Sequence, residues 1–454
     1  MPFASVNPAT GEVVETFESH TDKEVEERLQ RAADTFASYR WTSFAERGRS
    51  MVTAAELLES EQPDIARVLT TEMGKTFAAA KAEVAKCALT MRWYAEHAER
   101  LLADEPIETS AAQSYVRYEP LGPVLAVMPW NFPLWQVVRF AAPTLMAGNV
   151  GLLKHASNVP RTALLLEDVF RRAGFADGVF STLLVGSGEV AGLIADDRVA
   201  AVTLTGSEAA GRSVASTAGQ YLKKCVLELG GSDPFLVLAS ADLDRAVALA
   251  AQARVQNNGQ SCIAAKRFIV VDEIAAEFTE RFAAAMAGLM VGDPLDPASD
   301  VGPLVSESQR LEVAGQVDDA RSKGAHVACG GTVPPGPGWF YPPTVLTGVT
   351  PGMRAFEEEI FGPVAVVEVA RDLDDAIALA NRTSFGLGSS VWTNDQSEVG
   401  ACIERIEAGM VFVNAMVVSQ PEMPFGGIKR SGYGRELAHL GIREFCNAKS
   451  VWVS

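Results

Sequence analysis

VGLLK (150–154), FSTLLVG (180–186), AVTLTG (201–206), KCVLELG (224–230) and PFLVLA (234–239) are short, nearly unbroken apolar runs separated by stretches of helical character. A strand covered on both faces reads as a continuous apolar run, and returning to a parallel neighbour demands a crossover, usually a helix. The alternation therefore predicts a parallel sheet with crossover helices, a nucleotide-binding type of layout. A second alternation follows, with KRFIVV (266–271), AAEFTERFAAAMAGL (275–289), VAVVEVA (364–370) and DDAIALAN (374–381). With 454 residues, 48% of them apolar, the chain holds more material than one core supports, so this second run is read as a second α/β domain.

Upstream of the first sheet, Thr21 and Glu24 form a candidate capping box, and Val25, Leu29, Ala32, Ala33 and Phe36 recur at helical spacing. Alanine-rich helical text continues to about residue 103, an N-terminal helical layer. Ser114 to Val127 favours β structure and is broken by Pro120, Gly122 and Pro123, which suits an arm or hairpin. The tail SVWVS (450–454) is too short to bury itself and is expected to pair with another edge, including one on a neighbouring subunit.

A net charge of −18, spread along the chain, disfavours nucleic acid and anionic membrane as partners. The opening MPFASVNPATGEVVETF has no basic segment leading into an apolar run, and no stretch reaches about 20 apolar residues. A cytoplasmic location without membrane contact is the expectation. Six scattered cysteines without CxxC pairs, and five histidines without ligand spacing, predict neither a disulfide framework nor a metal site.

The segment NNGQSCIAAKR (257–267) places Cys262 in a polar, glycine-containing loop before a strand, where a thiol is open to reaction. The other five cysteines read as small buried apolar residues. A nucleophilic thiol needs a base, and Glu228 in LELGGSDP ends a predicted strand, where α/β sites collect. These two segments resemble the Glu-Leu-Gly-Gly and Gly-Gln-x-Cys signatures of the aldehyde dehydrogenase superfamily. The resemblance spans nearly the whole chain, through NPATGE (7–12), PWNFP (129–133), AGN (147–149), LTGS (204–207), EEIFGP (358–363) and PFGGIKRSGYGRE (424–436) in family order.

The fold expected is α/β: a Rossmann-like cofactor-binding domain over 1–110 and 121–228, a catalytic α/β domain over 229–427, and a small β oligomerisation arm with the C-terminal tail from 111–120 and 428–454. The resemblance implies that Cys262 attacks the aldehyde, that Asn131 and the Cys262 N–H hold the oxyanion, and that Glu228 activates water on the thioester. It also assigns Trp130, Lys154, Ser207, Glu359 and Phe361 to a nicotinamide dinucleotide. The stretch VGSGEVAG (185–192) is only a weak dinucleotide fingerprint, because no acidic residue follows about twenty positions on. Many NAD-preferring relatives carry a Glu three residues after the lysine. Here Ser157 stands there, which with Lys154 favours NADP, with NAD as the alternative.

For the substrate, Arg139 and Ser419 stand where members acting on succinate semialdehyde hold its carboxylate. Arg139 alone reads equally well as one half of an ion pair with a protein carboxylate. A second arginine of some such members is Gln256 here. The expected activity is oxidation of succinate semialdehyde to succinate by a homodimer or homotetramer. A broad aliphatic aldehyde dehydrogenase, a thiol esterase and an inactive binding protein are the alternatives.

Overall fold

The computed structural model describes residues 3–454. Four of the five opening runs, joined by Pro123–Met128, form the parallel strands of a first sheet, ordered Lys224–Glu228, Ala201–Thr205, Pro123–Met128, Val150–His155, Phe180–Thr182. Every residue of Val150–His155 and Ala201–Thr205 is buried, as a sheet packed on both faces requires. From Pro123–Met128 the chain winds one way through Val150–His155 to Phe180–Thr182. It then returns to the other side of the starting strand with Ala201–Thr205. The crevice beyond the carboxyl ends of Pro123–Met128 and Ala201–Thr205 is thus a topological switch point, the place where open α/β sheets bind ligands.

The fifth run departs from the periodicity reading, which groups it with the other four, while lying on the catalytic side of the expected 228/229 boundary. Pro234–Val237 is not a member of the first sheet but begins the second, ordered His326–Cys329, Thr344–Thr347, Val364–Ala370, Arg267–Val271, Pro234–Val237, Gly388–Trp392, Met410–Val413. All of its pairs are parallel except that of His326–Cys329 with Thr344–Thr347. Apolar periodicity reports burial, not sheet membership, so the crossing at 229–233 leaves no hydropathic mark.

The helical layer forms as read. Thr21 and Glu24 cap Asp22–Tyr39 reciprocally, and Ser43 and Glu46 do the same for Phe44–Ser60. The long helix Phe77–Leu101 buries Ala80, Val84, Cys87, Ala88, Met91, Tyr94 and Ala98 at helical spacing. The same helix carries the charged side chains Glu83, buried, and Lys86, half-buried, which matter below.

The stretch 114–127 is not one hairpin. Gln113–Pro120 belongs to a three-stranded arm, whereas Pro123–Met128 is an inner strand of the first sheet. Gly122, at φ 146°, makes the turn between them. The tail Cys446–Val453 pairs antiparallel with Gln113–Pro120 over its whole length, inside the same chain. The segment 428–454 divides: Gly432–Tyr433 adds an antiparallel edge to the first sheet, beside Lys224–Glu228. At Gly432, with φ 115°, a Cβ would sit 2.0 Å from the Leu227 carbonyl oxygen, so only glycine lets the two backbones meet. Among the described residues no helix is long and apolar enough to cross a membrane, and no cluster of three metal-ligating side chains occurs.

Candidate active site

Cys262 follows a run of left-handed backbone at Asn257 (φ 55°), Asn258 (φ 58°) and Gly259 (φ 75°). Such residues cost roughly 1–3 kcal/mol each unless their surroundings hold them. Here they do. Asn258 Nδ2 donates to the carbonyls of Gly74 (2.8 Å) and Pro303 (3.0 Å), while its Oδ1 accepts from Gly302 N at 2.9 Å. Asn257 Nδ2 donates to the Asn131 and Gln260 carbonyls at 2.7 and 3.0 Å. A Cβ on Gly259 would lie 2.4 Å from Gly362, so that position admits no side chain. Beyond the cysteine, Lys266 Nζ donates to the carbonyls of Ser261 (3.0 Å), Cys262 (2.9 Å) and Ala264 (3.1 Å). One ammonium thereby ties the loop from below and is balanced by Glu359 at 3.2 Å.

Cys262 is half-buried where two cavities meet. The first, about 280 Å³, is lined by Trp130, Asn131, Ser207, Glu359 and Phe361; the second, about 610 Å³, by Lys86, Arg139, Ser419 and Phe425, and Cys262 and Gln136 border both. Burial pushes the thiol up to about 12, against the opposing pull of the Arg139 and Lys266 charges. The resting group is therefore a thiol, and the expected openness of this loop cysteine amounts to access through the cavities only.

Asn131 sits just past the end of Pro123–Met128, at the switch point. Its Nδ2 donates to the Gln260 carbonyl at 3.1 Å, which leaves a second N–H to spare. The turn that carries it is pinned by Glu83, which accepts from Leu134 N (2.9 Å) and Trp135 N (2.8 Å) at the start of helix Trp135–Met146. Buried Lys75 pairs with the same Glu83 carboxylate and lies 4.2 Å from the Phe132 ring centroid. Neither Lys75 nor Glu83 was singled out from the sequence.

Glu228 is the last residue of Lys224–Glu228 and is buried. Its pKa is raised well above the ordinary carboxylate value, first by desolvation and then by Glu436, while Arg139 and Arg435 pull the other way. Neither carboxyl oxygen has a hydrogen-bond partner among the described residues. Oε1 occupies the notch left by Gly426, 2.6 Å from where a Cβ would stand. The side chain lines neither cavity in this resting arrangement.

Lys154 and Ser157 line a third cleft, about 840 Å³, with Asn158, Gly186 and Ser187. Lys154 is only 8% exposed, has no ion-pair partner among the described residues, and is shifted down by desolvation. A buried, unpaired ammonium is costly, so the cleft fits an anionic group. Glu26 also borders it but is engaged by Arg198 at 2.7 Å, and Asp22 and Glu189 complete an acidic side. Ser207 caps the thirteen-residue helix Glu208–Gln220, whose free N–H groups face the switch point. The Trp130 ring stands edge-on to Phe361 at 5.6 Å. These residues suit a phosphorylated dinucleotide reaching from the third cleft to Cys262.

Arg139 does not present a free guanidinium. It is buried, forms an ion pair with buried Glu436, reaches Thr205 Oγ1 at 3.4 Å and lies 4.4 Å from the Phe425 ring centroid. The pair with a protein carboxylate, one of its two sequence readings, is present, and Arg139 also lines the second cavity. Ser419 does line the second cavity, and its Oγ accepts from Lys86 Nζ at 2.6 Å. Lys86 was missed. The available signal was a lysine inside the apolar face of Phe77–Leu101, three positions after Glu83. Gln256 lines the same cavity and donates weakly to the Ile263 carbonyl at 3.5 Å.

Residues 1–451 match the model of the aldehyde dehydrogenase family. The chain is 60% identical, over all of both chains, to a protein of Mycobacterium tuberculosis (strain ATCC 25618 / H37Rv) named succinate-semialdehyde dehydrogenase [NADP(+)] 1. It is also 60% identical to the succinate-semialdehyde dehydrogenase [NADP(+)] of Mycobacterium avium (strain 104), covering 100% of this chain and 97% of that one. The crystal structure of succinic semialdehyde dehydrogenase from Streptococcus pyogenes in complex with NADP+ superposes with a TM-score of 0.97 at 38% identity, over 99% of each chain. A chain with these matches along its whole length, and with Cys262 seated between two cavities, belongs to the aldehyde dehydrogenase family.

Proposed function

We propose that the protein oxidises succinate semialdehyde to succinate with NADP+, through a covalent intermediate on Cys262. The observation that carries the reading is the position of Cys262, the nucleophile-bearing residue shared by a dinucleotide-facing cavity and a second cavity with polar and cationic lining. The full-length relatives named above supply the substrate and cofactor.

Sγ of Cys262 adds to the aldehyde carbon as its proton passes to solvent water in the cavity that borders it. The developing oxyanion is met by the spare Asn131 N–H and the Cys262 backbone N–H, donors already fixed by the loop. Lys154, Ser157, Ser207, Trp130, Glu359 and Phe361 are the residues that would hold the dinucleotide. When bound, it supplies the hydride acceptor that turns the thiohemiacetal into a thioester. Glu228 then acts as base. Turning from its dry notch into a wetter cavity lowers its pKa, and the carboxylate takes a proton from the water that attacks the thioester carbon. The C–S bond breaks, the acid departs, and the thiolate recovers a proton. A buried carboxyl without hydrogen bonds loses little by making that turn.

Initial rates with succinate semialdehyde or butanal, each with NADP+ or NAD+, test the reading. The semialdehyde with NADP+ should be the fastest pair. Equal use of butanal removes the substrate half of the proposal, and a preference for NAD+ removes the cofactor half.

The outer edge of Cys446–Val453 is unpaired within the chain, and Trp452 and Val453 on it are exposed. A second copy continuing this sheet would give the homodimer or homotetramer, which a sedimentation mass would check. The six unpaired cysteines suit a reducing compartment such as the cytoplasm.

A further inference from the structure

From Gly259 to Ala264 every backbone carbonyl of the cysteine loop accepts from a side chain. Arg254 Nη2 takes that of Gly259 at 2.7 Å, Asn131 and Asn257 take that of Gln260, and Gln256 takes that of Ile263. Lys266 Nζ takes those of Ser261, Cys262 and Ala264, and so grips the peptide before the nucleophile and the peptide after it. Lys266 is buried, and its own backbone is fixed where the strand Arg267–Val271 begins. Its N–H donates to the Asp233 carbonyl at 3.1 Å, and its carbonyl accepts from Val366 N at 2.9 Å. The ammonium is therefore anchored to the second sheet, and the loop is anchored to the ammonium.

The Ser261 carbonyl and the Cys262 N–H belong to one trans peptide and point in opposite directions. With the carbonyl drawn onto Lys266, the N–H points away from the ammonium, and it has no acceptor among the described residues. Lys266 lines neither of the two cavities, whereas Cys262 borders both. A full charge on the carbonyl also polarises the peptide, which strengthens its N–H as a donor. The three carbonyls and Glu359, at 3.2 Å, surround one nitrogen with acceptors, and the three donors of an ammonium match them better than the two of a neutral amine.

We propose that Lys266 is a positioning residue for the chemical step: it aims and polarises the Cys262 peptide so that its N–H meets the developing oxyanion, and its charge favours the thiolate. The proposal rests on the covalent reading above and deepens it. Burial is what most disfavours the thiolate; of the charges facing it, Arg139 and Lys266 favour it and Glu359 and Asp233 oppose it. Lys86 faces it from the second cavity, and Lys266 itself faces Glu359, Arg254 and Asp233. Arg139 and Lys86 touch none of the loop carbonyls, so Lys266 alone among the cations that favour the thiolate also sets the direction of the N–H.

Two variants separate charge from packing. Lys266→Gln keeps a donor for the carbonyls without the charge, and Lys266→Met removes both. The first readout is alkylation of Cys262 by iodoacetamide in the dinucleotide-free protein from pH 6 to 10, scored on its peptide by mass spectrometry. Loss of the cation should move the curve upward by about one pH unit in either variant, a roughly tenfold slower reaction at pH 8. A loop that had merely loosened would admit water and reagent, and alkylation would accelerate. The second readout is the burst of reduced dinucleotide on mixing with succinate semialdehyde and NADP+. Its rate constant should fall about 10- to 100-fold in Lys266→Met and less in Lys266→Gln, while the semialdehyde concentration giving half the maximal burst rate stays within about twofold. Thermal melts check the fold, and Lys266→Gln carries the test if Lys266→Met does not fold. Unchanged or faster alkylation overturns the effect on the thiolate, and an unchanged burst overturns the oxyanion role; either leaves the proposed function standing. A wild type without a burst overturns the proposed function, and the alkylation curve then still decides whether Lys266 acts on Cys262.

Discussion

The two cavities that meet at Cys262 are built from different material. The dinucleotide side is made of strand ends and the loops that follow them: Trp130 and Asn131 after Pro123–Met128, Ser207 after Ala201–Thr205, and Lys154 within Val150–His155. Their placement is dictated by the sheet, and their recognition groups include backbone N–H at a helix start. The substrate side is made of side chains from separate helices and one late loop: Lys86 from Phe77–Leu101, Arg139 from Trp135–Met146, Ser419 and Phe425. Its character comes from how charges are paired. On the proposed function, the comparison teaches that cofactor binding in this chain is a property of topology, whereas substrate choice is a property of a few compensations between side chains.

The largest expected effect lies where both sides meet. Cys262→Ser should lower kcat/KM on the order of 10⁴-fold or more with every substrate and cofactor, at an unchanged melting temperature. A loss confined to one substrate would mean that the cysteine serves only one of the cavities. Next is Glu228→Gln, which keeps the shape but removes the base. Steady-state turnover should fall about 10³-fold while a first burst of reduced dinucleotide survives, because thioester formation does not need this carboxylate in the same way as hydrolysis.

In the second cavity, Arg139→Met leaves Glu436 without its partner in the interior. It should destabilise the fold by about 3–5 kcal/mol in chemical denaturation, and the double variant with Glu436→Met should recover most of that. A variant with full stability and a selective loss of semialdehyde turnover would return Arg139 to direct recognition. On the cofactor side, Ser157→Glu places a carboxylate beside Lys154 in the third cleft. The KM for NADP+ should rise about 10- to 100-fold, and that for NAD+ should change less.

The smallest effect concerns protonation. Because burial pushes the Cys262 thiol up to about 12, only a small fraction is thiolate at neutral pH, and the fraction rises with pH. Alkylation of Cys262 in the dinucleotide-free protein should be slow at pH 7 and accelerate steadily beyond pH 9. A plateau near pH 7 would show that the pull of Arg139 and Lys266 outweighs desolvation.

The same contrast governs what could be read in advance. Val150–His155, Ala201–Thr205 and Lys224–Glu228 are legible because sheet burial writes continuous apolar runs, and the motifs at their ends are contiguous. The local text runs Pro123–Met128 on from the arm because Pro120 and Gly122 look like hairpin punctuation, whereas the expected domain bounds end the arm at 120, and the two residues mark a passage between two sheets. Periodicity alone groups Pro234–Val237 with the first sheet because a strand's text is the same in either, whereas the boundary after Glu228 drawn from the family resemblance puts it with the second. At the site, Asn131, Glu228 and Cys262 sit in short signatures. The Glu436 partner of Arg139 and the Lys86–Ser419 contact join residues far apart in the chain, the last two separated by 333 positions. Side-chain pairing at such separation has no periodicity to betray it.

The account turns on an acyl group carried by Cys262 and released by Glu228. The most direct measurement is peptide mass spectrometry of Glu228→Gln after mixing with succinate semialdehyde and NADP+. A succinyl adduct on the peptide bearing Cys262, absent without the dinucleotide and absent in Glu228→Gln/Cys262→Ser, is the result expected. Turnover without any adduct at Cys262, or an adduct on another of the six cysteines, would contradict it.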